Sequence, residues 1–331
     1  MVSRKKTTIG SKKRRTRQRF RRRGGAQKKG KSITKKKLFK PVNCAPSPDN
    51  KHVKKYSCYT TDALRKLREL WNARHSDAKI TTEHPHEIWR QLKQQLQSTC
   101  GTETCWLKQQ FAAGLDKKTL AYTFAPTSPK SWNKNPNEWL SSVEINNVMK
   151  QYEHSYPCFQ FIGPSPIDFD THLVDGTCVW EDLCEFSLAK CLKKKKTKIG
   201  IIFNTDPHDK GGSHWISLFI NLRKKFIFYF DSNGKPPPKE VKVFIERVRS
   251  QVKEGGGADR DELTYIENTV VHQHGNTECG MYSLYMIISL LTELPGALHK
   301  TFRDFTVKDK RIQDKDMESL RHKLFNFQSE D

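Results

Sequence analysis

The first forty residues contain no aspartate and no glutamate, against 19 lysines and arginines. A stretch of that composition has too little apolar surface to offset the entropy of ordering, so residues 1–40 are expected to be a disordered basic arm. Its densest clusters are Lys12, Lys13, Arg14 and Arg15, then Arg21, Arg22 and Arg23. Polycations of this kind bind nucleic acid non-specifically by releasing counterions. A nuclear localisation signal at residues 12–15 is compatible with that role. The formal charge of +24 belongs mainly to the arm. Beyond it, 41 basic residues face 36 acidic ones.

Other absences narrow the class further. No run approaches 18 consecutive apolar residues, which argues against a membrane span, and the basic N-terminus lacks the apolar core of a secretory signal. No Cys-x-x-Cys occurs. The nine cysteines are odd in number and scattered, so a reducing, intracellular setting is expected rather than a disulfide framework. Cys100/Cys105 and Cys184/Cys191 are too loosely spaced for a ribbon-type zinc site, so no metal is expected. The glycine run at 255–257 has no following Lys-Ser/Thr and reads as a flexible loop, not a phosphate cradle.

What is present divides into segments. A polar linker is expected at 41–55, then a helical module over 56–124. Thr61 is placed to cap a first helix with Leu64, Leu67, Leu70 and Trp71 on one face. A second helix begins near Pro85 and carries Ile88, Trp89, Leu92 and Leu96. A third short one holds Trp106, Leu107, Gln110 and Phe111. A proline-containing linker follows at 125–137. The remainder, 138–331, mixes helical periodicity (138–152 and 238–253) with apolar strands at 199–203, 214–222 and 225–231. In the last two strands Ile216, Leu218 and Ile220 fall on one face, and Phe219, Phe226, Phe228 and Phe230 on the other or at the turn. A sheet apolar on both sides needs cover on both sides, so an α+β layered fold with a mixed central sheet is expected.

Three pieces of this region carry chemistry: Gly-Gly-Ser-His-Trp at 211–215, Phe-Tyr-Phe-Asp-Ser at 228–232, and Gln-His-Gly-Asn-Thr-Glu-Cys-Gly at 273–280. In order they supply His214, Asp231, Gln273 and Cys279, the parts of a thiol hydrolase: base, orienting carboxylate, oxyanion donor and nucleophile. A hairpin centred between Leu222 and Arg223 places His214 directly opposite Asp231, within reach of an imidazole–carboxylate hydrogen bond. Cys279 opens an apolar run to Leu291, read as a buried central helix whose N-terminal end favours a thiolate. Gly280 allows close approach to a bound carbonyl. Histidines 272 and 274 read as partly exposed loop residues, and His208 as a turn residue with no strand to hold its ring.

The order His-Trp, a hairpin later Asp, then Gln six residues before Cys-Gly, resembles the ubiquitin-like-protein (SUMO) protease and adenain superfamily. Phe161-Ile-Gly-Pro-Ser-Pro-Ile-Asp-Phe169 is nearest its branch of maturation proteases from large nucleocytoplasmic DNA viruses. One departure is Glu278, where the cellular enzymes usually carry Asp. The resemblance runs from about Trp139 to the C-terminus. It implies cleavage after Gly-Gly or Gly-Ala type sequences without a cofactor, with Trp139, Trp215 and Gly280 along the substrate channel. Maturation of viral structural polyproteins by a monomeric enzyme is then expected, in the virion and in the host nucleus or viral factory. Two alternatives stay open: a processing or deconjugating protease for a ubiquitin-like modifier, and a nucleic-acid-binding virion protein on a degenerate protease scaffold.

Overall fold

The computed structural model describes residues 38–48, 56–254, 262–294 and 297–328. Residues 1–37 of the basic arm, with its Lys and Arg clusters, and the 255–257 loop lie outside the described residues, whereas Lys40 is held through its N–H by the Gly101 carbonyl at 2.7 Å.

Among the described residues, five strands form one mixed sheet in sequence order: β1 (Phe159–Pro166), β2 (Lys198–Asn204), β3 (Trp215–Asn221), β4 (Phe226–Phe230) and β5 (Thr264–Glu267). The outer pairs β1–β2 and β4–β5 are parallel, and the inner pairs are antiparallel. Alternation along β3 and β4 sends Phe219, Phe226, Phe228 and Phe230 into one core and Ile216, Leu218, Ile220, Ile227 and Tyr229 into the other. The expected burial of both faces is what the structure has. It makes the fold α+β.

Among the described residues there are six longer helices, α1 (Thr61–Asn72), α2 (Pro85–Leu96), α3 (Ser142–Ser155), α4 (Lys239–Glu254), α5 (Cys279–Thr292) and α6 (Asp314–Leu324), the first two packing in a core of their own. Helix α5 packs with the phenylalanine face, and α4 covers the aliphatic face through Val241, Phe244 and Val248. Helix α1 is capped by Thr60, one residue before the expected Thr61, through the Ala63 N–H. Helix α3 starts four residues later than its apolar pattern suggests, because Ser141 and Glu144 close a capping box. The third helix of the N-terminal segment shrinks to one turn, Glu103–Trp106, followed by a 3-10 segment, Gln110–Gly114.

Both expected linkers are pinned over their described residues. Asn43 donates its backbone N–H to Asn326 Oδ1 (2.7 Å) and its side-chain amide to the Phe325 carbonyl (2.8 Å). Ser128 donates its N–H to the Asn326 carbonyl, and Trp132 is buried edge-on against Phe325 at 4.9 Å. Reciprocal amide bonds satisfy backbone groups that a free tether would leave to water. Helical segment and sheet thus lie in one compact unit.

The cysteines also depart from expectation. Three pairs are bonded, Cys44–Cys58, Cys100–Cys105 and Cys178–Cys184, with Cα separations of 5.1, 5.4 and 6.3 Å. All fall in the range that a disulfide spans. Sequence spacing carries no information on these distances, and a scatter of cysteines is the wrong basis for excluding bridges. Cys158, Cys191 and Cys279 are free. Among the described residues, no helix is long and apolar enough to cross a membrane.

Candidate active site

His214 and Asp231 sit at the same end of the sheet, one residue before β3 and one after β4. The hairpin register differs by two residues from the expected one. Ser217 pairs with Phe230 and Asn221 with Phe226, so the turn takes four residues, 222–225. Lys225 closes it at φ +54, with the Lys224 N–H held by Asn221 Oδ1 at 3.0 Å. His214 is therefore not directly opposite Asp231. Its ring reaches along the sheet end instead, and Nε2 lies 2.7 Å from Asp231 Oδ1. A shift of two leaves side-chain faces unchanged, so the contact survives the error in register.

The carboxylate is itself held. Asp231 Oδ1 also accepts the Asn233 N–H at 2.8 Å, and the Asp231 carbonyl accepts from Asn268 Nδ2 at 2.8 Å. Cys279 stands near enough to the imidazole to act on its charge. Burial alone would lower the pKa of His214. The hydrogen bond with Asp231, and the charges of Asp231 and Cys279, outweigh it and raise the value to about 9.

Cys279 is the first residue of α5 and is buried. Its position exposes it to the unpaired N–H groups of the helix start. Preceding it, Glu278 is paired with Arg321 of α6 at 2.9 Å, both side chains almost fully buried. The guanidinium also lies over the Trp132 ring at 4.7 Å. Burial pushes the Glu278 carboxyl above its ordinary range against the pull of Arg321.

Gln273 is buried, with its amide orientation set by neighbours. Ser232 Oγ donates to Oε1 at 2.7 Å, and Nε2 donates to the Gly275 carbonyl at 3.0 Å. Asp314 then accepts the N–H groups of His274 (3.1 Å) and Gly275 (3.0 Å), together with the Tyr282 hydroxyl (2.8 Å). This carboxylate fixes the loop between Gln273 and Cys279. His272 is not a loop-surface histidine. It is fully buried, bonded to the Phe305 carbonyl and the Ile312 N–H, and burial first of all drives its pKa down to about 4.

A cleft of about 530 Å³ leads away from His214, lined among others by Trp139, Trp215, Trp180, Asp206 and His208. Trp139 is 45% exposed on its rim. Trp215 is buried, and its indole N–H donates to the Leu140 carbonyl at 2.8 Å. Gly280 is not among the cleft-lining residues. A Cβ there would stand 3.0 Å from Leu140 Cβ and 3.2 Å from Trp215 Cδ1, so this glycine lets α5 seat against the cleft wall from behind. His208 is held after all, by Asp168, through a 2.6 Å ring contact and its own backbone N–H at 2.9 Å.

Sequence reasoning does not single out Ser232, Asp314 or Arg321. Ser232 adjoins Asp231 and has a local signal. The others act from far along the chain, where no motif points to them.

Comparison with known proteins finds relatives over most of the chain. The chain is 29% identical over 259 residues to a protein of Acanthamoeba polyphaga mimivirus that carries a thiol-protease name, covering 72% of this chain and 82% of that one. It is 28% identical over 221 residues to a cysteine protease of African swine fever virus, covering 64% and 76%. The crystal structure of an African swine fever virus protease shares the fold, with a TM-score of 0.57 at 23% identity over 89% of this chain and 99% of that one. Residues 136–330 match the family described as "Ulp1 protease family, C-terminal catalytic domain". With more than half its length so matched, the chain belongs to the Ulp1 protease family and is a cysteine-type peptidase.

Proposed function

We propose that Cys279 is the nucleophile of an endopeptidase that cleaves after Gly-Gly or Gly-Ala type sequences and matures viral structural polyproteins. The observation that carries this reading is the His214 ring held by Asp231 and acting electrostatically with Cys279, which stands at a helix start. With Nε2–H given to Asp231, the other ring nitrogen is left to take the thiol proton. The thiolate attacks the scissile carbonyl, forming the C–S bond. The free N–H of Gln273 Nε2 and the backbone N–H of Cys279 donate to the developing oxyanion. His214 protonates the leaving amine as the C–N bond breaks, and water then hydrolyses the thioester. No step requires a cofactor.

The selectivity for small residues rests on the walls near Cys279, where Trp215 is locked to Leu140 and Trp139 overhangs the rim. Polyprotein maturation rests on the two viral relatives. The arm at residues 1–40, including Lys12, Lys13, Arg14, Arg15, Arg21, Arg22 and Arg23, would hold the enzyme on packaged nucleic acid, supported by its 19 cations and no carboxylate. A panel of Gly-Gly-X, Gly-Ala-X and bulky-residue peptides, assayed beside a SUMO-type conjugate, tests the reading. Turnover of the peptides at rates well above the conjugate is expected. Preference for the conjugate would move the function to modifier processing.

A further inference from the structure

We propose that His172, Cys178 and Cys184 form a zinc site in the reduced protein, and that the Cys178–Cys184 disulfide is the metal-free, oxidised form of that site. The three potential ligand atoms lie within 4.8 Å of one another. His172 Nε2 is 3.7 Å from Cys178 Sγ. Zinc bonds of about 2.1 Å to nitrogen and 2.3 Å to sulfur, in tetrahedral array, put neighbouring ligand atoms roughly 3.6 Å apart. The His172–Cys178 separation therefore already matches what a shared zinc ion would require, and reduction frees the two sulfurs to part to a similar distance.

The backbone builds this arrangement. His172 and Cys178 are cross-strand partners in a small antiparallel bridge. Bonds from Leu173 N–H to the Thr177 carbonyl (2.8 Å) and from Val179 N–H to the Thr171 carbonyl (2.9 Å) close it, around a turn at Asp175 and Gly176 (φ +82). Cys184 comes back to it from the one-turn helix Glu181–Cys184. Two thiolates and an imidazole are a soft, zinc-type donor set, leaving a fourth position for water.

Two features set this pair apart from the other bonded cysteines. Among the described residues, it is the one grouping of three metal-ligating side chains. It is also accessible: His172 is exposed and both cysteines are half-buried, whereas Cys58 and Cys100 are buried. The chemistry balances simply. Two small-molecule thiols reduce the disulfide, yielding two cysteine thiols and one small-molecule disulfide, and zinc then displaces two protons. Oxidised glutathione drives the reverse, re-forming the S–S bond by exchange and expelling the ion. Val179 and the adjoining Trp180 line the cleft, so the clip would fix one cleft wall in either state. That last consequence rests on the proteolytic reading; zinc binding does not.

The test uses the full chain carrying Cys279→Ser, so that the nucleophile cannot hold the metal. The protein is reduced, given zinc alone, desalted and weighed by native mass spectrometry. One zinc per chain is expected, with a thiolate-to-metal charge-transfer band when cobalt replaces zinc. His172→Ala should lose the ion yet still form the Cys178–Cys184 disulfide with oxidised glutathione, which shows that the hairpin remains folded. Oxidation of the parent should release zinc in step with disulfide formation. A reduced chain that retains no zinc, or retention that His172→Ala leaves unchanged, would overturn the proposal. Failure of the protease reading would register separately, as absence of peptide turnover by the unsubstituted enzyme.

Discussion

Two His–Asp pairs border the cleft, and they are nearly identical in contact distance: His214–Asp231 at 2.7 Å and His208–Asp168 at 2.6 Å. Their surroundings differ. The His214 side chain is 17% exposed and its carboxylate 4%, whereas the His208 ring is 44% exposed. Only His214 adds a thiol at the start of a buried helix. A hydrogen-bonded His–Asp pair orients a ring; it takes burial and a nucleophile to turn the ring into a base. Sequence alone sets His208 aside for lack of a strand. The better reason is that the ring's hydrogen bond goes to Asp168 on an exposed turn, with no thiol as its partner among the described residues.

The sharpest way to break this comparison is to disable the buried pair's chemistry. Cys279→Ala and His214→Ala should each lower kcat/KM roughly 10⁴-fold or more, because nucleophile and base act as a unit. Far-UV circular dichroism of both proteins should match the parent. Comparable residual activity in Cys279→Ala on Gly-Gly-X peptides would remove the nucleophile assignment.

Next in size is the orienting carboxylate. Asp231→Asn should reduce kcat roughly 10²–10⁴-fold. It should also move the pH profile. His214 has its pKa raised to about 9, so the imidazolium of the ion pair persists up to that pH and is lost above it. Activity in the parent should fall as pH rises through about 9. Without the Asp231 charge this alkaline limb should shift downward, towards the ordinary histidine value near 6.5. The sign carries over to stability, since a raised histidine pKa stabilises fully below about 6.5 and loses that contribution through about 9. An alkaline limb unmoved in Asp231→Asn would assign the titration to another group.

The oxyanion side separates direct from indirect action. Gln273→Ala should cost roughly 10²–10³ in kcat with little change in KM. Ser232→Ala keeps the amide but frees its orientation, and a smaller loss in kcat, about tenfold, is expected from one neutral hydrogen bond. A Ser232→Ala effect larger than that of Gln273→Ala would mean that the hydroxyl, not the amide, meets the substrate.

How far the sequence is legible follows from where each determinant lies. His214, Asp231, Gln273 and Cys279, the residues proposed for the site, stand out in the sequence because each sits in a short run beside a recognisable strand or helix boundary. The two-sided apolar alternation of β3 and β4 likewise carries the layered fold. The hairpin register escapes because its turn uses Lys225 at positive φ, where Gly or Asn would have signalled the bend. Linkers look free because Asn43, Ser128 and Trp132 find their partners near residues 325–326, nearly two hundred positions or more away. The Glu278–Arg321 pair is opaque for the same reason. Neutralising one side by Arg321→Leu should cost about 3–5 kcal/mol, since it strands a buried carboxylate, while pairing it with Glu278→Leu should recover much of the loss. Chemical denaturation of the single and double variants checks this.

The smallest effect belongs to the outer pair, and it sharpens the comparison most. His208 lines the cleft that leads from His214 but stands on the turn after β2, held by Asp168. If it only contacts a substrate passing along the cleft, His208→Ala removes one half-exposed hydrogen-bonding group, worth about 0.5–1.5 kcal/mol. KM should then rise roughly 2- to 10-fold on peptides long enough to reach it, while kcat stays within about twofold. Peptides ending at the Gly-Gly pair should show no change at all. Asp168→Asn should reproduce the KM effect in part, because the ring loses its anchor but remains present. Steady-state kinetics on a short and a long peptide, run with both variants, decide the matter. A fall in kcat on the short peptide would place His208 in the reaction itself, and the distinction drawn between the two pairs would fail.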